Sequence, residues 1–249
     1  MGKNKLARWN EFGSYSNVIQ PEIGEIAGKD HPIKGNWNSL IFKNDNPIIL
    51  ELGCGKGEYS TGLAGMFPHN NYIGVDIKGA RMWRGAKTSN DLKMSNVAFL
   101  RTRIEFITSF FSADEVDEIW ITFPDPHPGA RNANKRLSSP YFLRKYLSFL
   151  KNDGLIHLKT DNTELYSFTG SVVRNHKLQL IFSTDDLYSG NSVPDPIFSV
   201  DNPESVGSIH NILSIKTHYE KLFLQKGMKI TYLSFRMRKE NFRDDGTVS

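Results

Sequence analysis

The middle of the chain alternates short apolar runs with segments of helical periodicity, and this alternation limits the fold more than any other feature of the sequence. The runs that predict strands cover residues 48–52, 71–76, 97–100, 118–122 and 154–160. Helical patterns cover residues 58–67, 78–93 and 140–151, and a shorter helical stretch follows the third run. Parallel strands need such crossover connections, which are usually helices. The order therefore predicts an α/β fold with a mostly parallel sheet and helices on both faces.

The pattern changes after residue 177, where strands follow one another without long helices between them. Residues 183–208 are rich in Ser, Asp, Pro and Gly and predict a long loop, a kind of segment that is usually functional or disordered. A helix over 217–225 and an alternating strand over 229–235 follow, and we expect this last strand to be antiparallel. Together these elements predict one Rossmann-like, mostly parallel sheet.

The first 45 residues have neither a helical nor a strand period. Three basic residues stand near their start, Lys3, Lys5 and Arg8. We expect residues 1–45 to form a basic N-terminal arm or lid that adds contacts to a polyanion. Residues 46–249 then form a single domain, which is long enough to bury a sizeable core.

Composition excludes several classes of protein. The chain has 31 basic and 27 acidic residues, and the formal net charge of +4 suits a polyanionic partner. Its one cysteine, Cys54, excludes an internal disulfide and a paired-cysteine metal site, and the histidines lack metal-ligand spacing. No segment approaches the roughly 18 apolar residues that a membrane span needs. We therefore expect a cytoplasmic protein without a metal or a membrane segment.

The first predicted strand ends in a glycine-rich turn that opens the next helix. An acid, Glu51, precedes three glycines at alternate positions, Gly53, Gly55 and Gly57. The spacing differs from the dinucleotide fingerprint and from the phosphate-binding loop, and a carboxylate at this point would repel a pyrophosphate. It suits a ligand with a cationic amino group and no phosphate, such as S-adenosylmethionine. Asp76 ends the second strand, where a ribose-binding acid is expected, although a ligand-free turn and a helix N-cap at Asp76 are the alternatives.

The loop after the fourth predicted strand carries an acid among prolines. Asp125 lies between Pro124 and Pro126, at the edge of the sheet where the glycine turn also lies. A carboxylate there can accept hydrogen bonds from N1–H and N2–H of guanine, a donor pair that adenine and cytosine lack. Two basic groups of the sequence fit contacts to a phosphate backbone, although either could be a solvated face. They are Lys78, Arg81, Arg84 and Lys87, and Arg131, Lys135, Arg136, Arg144, Lys145 and Lys151.

Missing residue types exclude two kinds of methyl transfer. Attack through a cysteine nucleophile is excluded because the only cysteine lies inside the glycine turn. Amino-group methylation of adenine usually has an Asn-Pro-Pro-aromatic motif after this strand, and Pro124-Asp125-Pro126 stands in its place. Guanine N7 or another position of guanine is left as the target.

Several motifs together resemble those of the bacterial tRNA (guanine-N7)-methyltransferases, in order from about residue 48 to residue 235. They are the glycine turn at 51–57, Gly74-Val75-Asp76, Phe123-Pro124-Asp125-Pro126 with Arg131 and Lys135-Arg136-Leu137, Thr160-Asp161, and Thr217-His218-Tyr219-Glu220. The Pro-Asp-Pro loop and the Thr-x-Tyr-Glu motif are the specific parts. The resemblance implies a class I methyltransferase fold over 46–249, with a mostly parallel sheet of seven strands. It also implies methyl transfer from S-adenosylmethionine to N7 of the variable-loop guanosine of tRNA, at position 46.

The resemblance implies roles for individual residues. The cofactor-binding residues are Glu51, Gly53, Gly55, Gly57, Asp76, Arg103 and Asp125, and Asp125 is also the catalytic residue. The residues implied to contact the substrate are Arg131, Asp161, Thr217, Tyr219 and Glu220, although Thr217 and Glu220 also have the spacing of a helix capping box.

Three positions depart from the family pattern. His127 stands in place of the usual Trp, Gly129 in place of a substrate-contacting Lys, and Arg103 in place of a cofactor-binding Asp or Asn. Arg103 is therefore left to contact the cofactor through its backbone or the stem of its side chain, with Glu105 as a substitute for the missing acid.

Two other functions stay open from the sequence. One is methylation of another RNA, such as rRNA, or of a small molecule. The other is a non-catalytic RNA-binding module that keeps the fold. The expected partner of the methyltransferase is tRNA. No obligatory protein partner is expected, and the chain is expected to be a monomer or a homodimer.

Overall fold

The computed structural model describes residues 2–189 and 215–242. Within these residues eight strands form one sheet. The strands are β1 (Val18–Ile19), β2 (Ile48–Leu52), β3 (Asn71–Asp76), β4 (Val97–Arg101), β5 (Val116–Thr122), β6 (Leu150–Thr160), β7 (Gln179–Thr184) and β8 (Thr231–Arg236). Their order across the sheet is β1-β4-β3-β2-β5-β6-β8-β7.

Helices connect most of these strands. They are α1 (Gly2–Ser14), α2 (Ile23–Ile26), α3 (Glu58–Met66), α4 (Gly79–Asp91), α5 (Pro140–Tyr146), α6 (Thr163–Asn175) and α7 (His218–Gln225). A π-helical turn covers Trp37–Phe42, and 3₁₀ helices cover Ile104–Ser109, Ala130–Lys135 and Lys239–Phe242. Among the described residues, no helix has the length and apolarity that a bilayer span requires.

The strand directions confirm the predicted α/β fold with a mostly parallel sheet. The pairs from β1 to β6 are parallel, and β8 runs antiparallel to both β6 and β7, as expected for the last strand. Strand β2 is fully buried along its length, because helices cover both faces of the sheet. The chain leaves β2 toward β3 on one side and returns to β5 on the other. Ligands of such sheets bind at this reversal, outside the carboxyl ends of the strands.

The prediction of seven strands is one short, because β1 comes from the region assigned to an N-terminal arm. This strand has only two residues, so it carries no period that a sequence could reveal. Hydrogen bonds hold it beside β4: the Phe99 amide donates to the Asn17 carbonyl at 2.8 Å, and the Asn17 side chain donates to the Val97 carbonyl at 3.1 Å.

Helix α1 of the same region packs against α4. Phe12 is fully buried, and the Arg8 guanidinium lies 4.6 Å from the centre of the Trp83 ring. The Trp83 indole donates to the Glu11 carboxylate at 2.8 Å. Residues 8–19 are therefore part of the packed sheet edge in this structure.

Two further predictions differ from the structure at element boundaries. The helix predicted over 140–151 ends at Tyr146, because β6 already begins at Leu150. Helix α6 follows β6 and was not predicted; the Asn162 side chain caps it by accepting from the Leu165 amide. The loop predicted over 183–208 starts later than predicted, because β7 extends to Thr184, and from residue 190 onward it lies outside the described residues.

Candidate active site

A cavity of about 360 Å³ lies at the carboxyl ends of the central strands. Seven of the residues predicted for the site line it: Gly53, Gly55, Asp76, Arg103, Asp125, Thr217 and Tyr219. Five others do not: Glu51, Gly57, Arg131, Asp161 and Glu220. The structure thus brings the glycine turn, the acid that ends β3, the Pro-Asp-Pro loop and the start of α7 around one space.

The glycine turn between β2 and α3 combines two kinds of glycine. Gly53 and Gly55 have φ angles of 78° and 55°, and a Cβ atom on either would meet nothing within 4 Å. Their side of the turn is therefore open to the cavity, so a ligand can approach the backbone closely. Gly57 has a φ of 68°, and its Cβ would lie 2.5 Å from the Phe99 ring. This third glycine is required for packing α3 against the sheet.

Asp76 ties the glycine turn to the end of β3. One of its carboxylate oxygens accepts a hydrogen bond from the Gly55 amide at 2.9 Å, and the other accepts from the Lys78 amide at 2.8 Å. The side chain is half-buried and lines the cavity. Each oxygen retains a lone pair for a ligand hydroxyl, as binding of a ribose would require.

Glu51 lies below the turn and faces the protein interior. Its carboxylate accepts hydrogen bonds from the Ser60 amide at 2.8 Å, the Ser60 hydroxyl at 2.5 Å and the Thr122 hydroxyl at 2.7 Å. Burial raises the pKa of Glu51 to about 7, against the opposing effect of these donors. The side chain therefore joins the ends of β2 and β5 to the first turn of α3.

Asp125 stands in a loop whose backbone is unusual on both sides. Phe123 and His127 have φ angles of 49° and 45°, a region that bulky residues rarely occupy. The Asp125 side chain is exposed and lines the cavity, and it accepts no hydrogen bond from any of the described residues. Its carboxylate is therefore available to donors on a bound molecule.

The start of helix α7 brings Thr217 and Tyr219 to the cavity. Thr217 and Glu220 form the capping box expected from their spacing. Tyr219 is exposed, and the Arg81 guanidinium of α4 lies 5.8 Å from the centre of its ring. The His218 amide donates to the Glu58 carboxylate at 2.7 Å, which joins the start of α7 to α3.

Glu220 is completely buried, so its carboxylate faces the interior. It lies 2.8 Å from the Lys159 ammonium group on β6 and accepts a hydrogen bond from the Tyr188 hydroxyl at 2.5 Å. Burial lowers the pKa of Lys159 to about 8, and the charge of Glu220 opposes this shift.

The two remaining predicted substrate residues, Asp161 and Arg131, do not line the cavity. Asp161 follows the end of β6 and is half-buried, which raises the pKa of its carboxyl. Arg131 is exposed on the 3₁₀ helix that follows the Asp125 loop.

Arg103 lines the cavity together with Glu105. Their side chains form an ion pair of 3.3 Å, and each is about half exposed. Glu105 is therefore at the cavity, where the sequence predicts it as a substitute for the acid of the family pattern.

Sequence reasoning assigned no site role to several lining residues. They include Lys56, Glu58, Thr102, Ile104, Leu137 and Phe142. Glu58 directly follows the glycine turn, and Thr102 and Ile104 flank Arg103, so their closeness to predicted residues was the available signal. Phe142 belongs to α5, and only the folded chain brings it to this edge.

The chain is similar to known proteins in sequence and in fold. A family model described as "Putative methyltransferase" matches residues 45–233. The chain is 46% identical over 248 residues to a tRNA (guanine-N(7)-)-methyltransferase of Bacteroides thetaiotaomicron, covering 100% of this chain and 91% of that protein.

Solved structures with a similar fold are also known. The 16S rRNA methyltransferase KamB matches with a TM-score of 0.56 and 14% identity, over 80% of this chain and 91% of that one. A 16S rRNA (adenine(1408)-N(1))-methyltransferase of Catenulisporales acidiphilia, solved with the cosubstrate SAM, matches with a TM-score of 0.50 and 13% identity, over 86% and 93%. At such identities these likenesses concern the fold alone.

Proposed function

The chain belongs to the tRNA (guanine-N(7)-)-methyltransferase family, and from that membership we propose that it methylates the guanosine at position 46 of the tRNA variable loop. The reaction is the transfer of a methyl group from S-adenosylmethionine to N7 of a guanosine in tRNA. The observation that carries the proposal is that the glycine turn and the Asp125 loop open into one cavity. Cofactor and base can then meet in a single space.

The described residues fit S-adenosylmethionine. The cavity volume of about 360 Å³ lies within the range of about 300–1,000 Å³ that is typical of small-molecule sites. The open faces of Gly53 and Gly55 admit a ligand close to the backbone, and Asp76 can accept from ribose hydroxyls. When bound, the cofactor supplies an electrophilic methyl group on a positively charged sulfur.

The other residues proposed for the cofactor site support the glycine turn or border the bound cofactor. Gly57 holds α3 close to the sheet, and Glu51 acts through Thr122, which itself lines the cavity. Arg103 contributes the stem of its side chain, because its guanidinium is paired with Glu105. Asp125 borders the cofactor from the side of β5.

Asp125 orients the guanine. N7 carries an exposed lone pair and needs no deprotonation, so alignment of the base with the methyl group supplies most of the rate. The Asp125 carboxylate, which has no partner among the described residues, accepts from N1–H and N2–H of the base. Its negative charge also stabilises the positive charge that develops on the imidazole ring of the guanine.

The substrate residues differ in how directly they act. Thr217 and Tyr219 line the cavity and contact the target nucleotide. Asp161, which follows the end of β6, contacts the same nucleotide. Exposed Arg131 contacts a phosphate of the RNA backbone. Glu220 is enclosed and takes part by fixing the start of α7.

The proposed setting is the cytoplasm, where tRNA is the partner. We further propose that the reaction needs no obligatory protein partner. A monomer or a homodimer should then be fully active, which sedimentation at assay concentrations tests. Activity that appears only after another protein is added would contradict this part.

The position of methylation is tested with two tRNA transcripts that differ only in the variable-loop guanosine. Purified protein is incubated with labelled S-adenosylmethionine and either transcript, and the nucleosides are then separated. Label in 7-methylguanosine from the first transcript and none from the second supports position 46. Equal label in both transcripts moves the target to another guanosine, and label only in rRNA rejects tRNA as the substrate.

A further inference from the structure

Arg136 is a buried arginine beside the Asp125 loop. Its Nε atom lies 3.1 Å from the Pro126 carbonyl oxygen and 3.2 Å from the His127 carbonyl oxygen, and it donates to both. One of its terminal nitrogens donates to the Glu164 carboxylate at 2.5 Å. The guanidinium also lies 4.5 Å from the centre of the Phe168 ring. One side chain thus connects the loop after β5 to helix α6.

The surroundings of Arg136 exclude a contact with a phosphate of the RNA. Its side chain is only 5% exposed, whereas Glu164 is 56% exposed on the far side of the ion pair. The neighbours Lys135 and Leu137 line the cavity, and Arg136 does not. The basic group of the sequence therefore contains one member with a different task.

The Asp125 loop needs such support. Phe123 and His127 occupy the left-handed region, which is unfavourable for residues of this size and persists only where the surroundings enforce it. Backbone bonds hold the near end, because the Phe123 amide donates to the Lys159 carbonyl at 2.8 Å. At the far end, the two carbonyls that follow Asp125 are held by Arg136.

We propose that Arg136 is a positioning residue, which sets the height and direction of the Asp125 carboxylate through the carbonyls of Pro126 and His127. This inference rests on the orienting role proposed for Asp125. A planar guanidinium suits the task because it can donate in several fixed directions at once, whereas an ammonium group acts as a point charge. A shift of about 1 Å in a catalytic group can cost about 100-fold in rate.

The test compares Arg136→Lys with the wild-type enzyme. Lysine keeps the positive charge near Glu164 but cannot span both carbonyls and the carboxylate. We expect kcat to fall by roughly 10- to 100-fold, with Kd for tRNA and for S-adenosylmethionine within about threefold and a nearly unchanged Tm. Rates are measured well below Tm, so that loss of folded protein does not contribute.

Two matched variants serve as controls. Glu164→Gln removes the ion pair but leaves both carbonyl bonds, and we expect kcat close to that of the wild type. Arg131→Ala removes an exposed charge from the same segment and is the reference for loss of an RNA contact, for which we expect weaker tRNA binding.

Three results would overturn the inference. An Arg136→Lys enzyme with normal kcat does so directly. Weaker tRNA binding with normal kcat makes Arg136 an RNA contact. A fall in kcat that accompanies a fall in Tm, or that Glu164→Gln reproduces in full, would show that Arg136 acts on stability instead. Asp125→Ala distinguishes failure of this inference from failure of the proposed function. If Asp125→Ala keeps its turnover, the role of Asp125 fails. If Asp125→Ala loses turnover and Arg136→Lys keeps it, only the role of Arg136 fails.

Discussion

Each glycine of the turn meets its own physical requirement, and single substitutions separate these requirements. Gly57→Ala places a Cβ against the Phe99 ring in a backbone region that alanine disfavours. We expect it to lower the free energy of unfolding by about 2 kcal/mol or more. Gly65→Ala is the control, because nothing lies within 4 Å of its Cβ inside α3, and alanine there should stabilise by roughly 0.5–1 kcal/mol. Urea unfolding of both variants measures the difference; equal effects would contradict the packing role.

Glu51 makes stability depend on pH in a direction that is unusual for a carboxylate. Its folded pKa of about 7 lies above the ordinary value of 4.5, so the folded state holds the proton more tightly than the unfolded state. Stability from this group is present below pH 4.5 and is lost as the pH rises to 7. We expect the Tm of the wild type to fall relative to Glu51→Gln between pH 5 and pH 8. A Tm difference that is constant with pH would show that Glu51 does not titrate in this window.

Some residues of the site could be predicted because their type alone carries the constraint. Alternating glycines after a strand and an acid at the next strand end indicated the turn and Asp76, and prolines marked the Asp125 loop. Burial could not be predicted in the same way. In the sequence, Glu220 and Arg136 cannot be told from exposed charged residues. Only the fold shows that they are buried, beside Lys159 and the Pro126 carbonyl respectively.

The start of helix α7 depends on contacts from two other elements and from Tyr188, which follows β7. Glu58 of α3 accepts from its His218 amide, while Lys159 of β6 and Tyr188 contact Glu220. Residues on this turn, Thr217 and Tyr219, line the cavity. A loose helix start should therefore affect the substrate side of the site and leave the glycine turn intact.

Glu220→Gln tests this dependence. It leaves the buried Lys159 ammonium without the negative charge of Glu220, which costs about 3–5 kcal/mol unless Lys159 gives up its proton. We expect a lower Tm and a severalfold higher KM for tRNA, with an unchanged Kd for S-adenosylmethionine. Gln225→Ala on the exposed face of the same helix is the control and should change neither value. An unchanged KM for tRNA would separate α7 from substrate binding.

Elements were easier to predict than their charge environment. Long, periodic segments such as β2, β3 and α4 follow from the apolar pattern, whereas the two-residue β1 depends on tertiary hydrogen bonds alone. No acid stands between the members of either basic group in the sequence, yet other elements supply partners. Asp117 pairs with Lys151 at 2.5 Å, and Glu164 pairs with Arg136. A run of basic residues therefore overstates the charge that is free to bind RNA.

At the scale of the whole molecule, the modest excess of +4 has to be concentrated near the cavity to bind tRNA. Lys3 and Lys5 belong to the predicted arm, and we expect them to contact phosphates. The Lys3→Ala/Lys5→Ala variant should reduce the slope of log Kd against log salt concentration by about 1 to 2. Lys239→Ala is the control, because it pairs with Asp114 near the start of β5 and should leave the slope unchanged. Equal slopes for all three proteins would reject a role of the arm in binding.

The central claim is that this cavity brings guanine N7 and the cofactor together, with Asp125 orienting the base. The most direct measurement is the rate of methyl transfer to tRNA by Asp125→Ala, taken beside its Kd for S-adenosylmethionine. We expect a loss of turnover of about 100-fold or more, with cofactor affinity within severalfold of the wild type. Turnover and cofactor affinity that fall together, or a variant that still methylates tRNA at the normal rate, would contradict it.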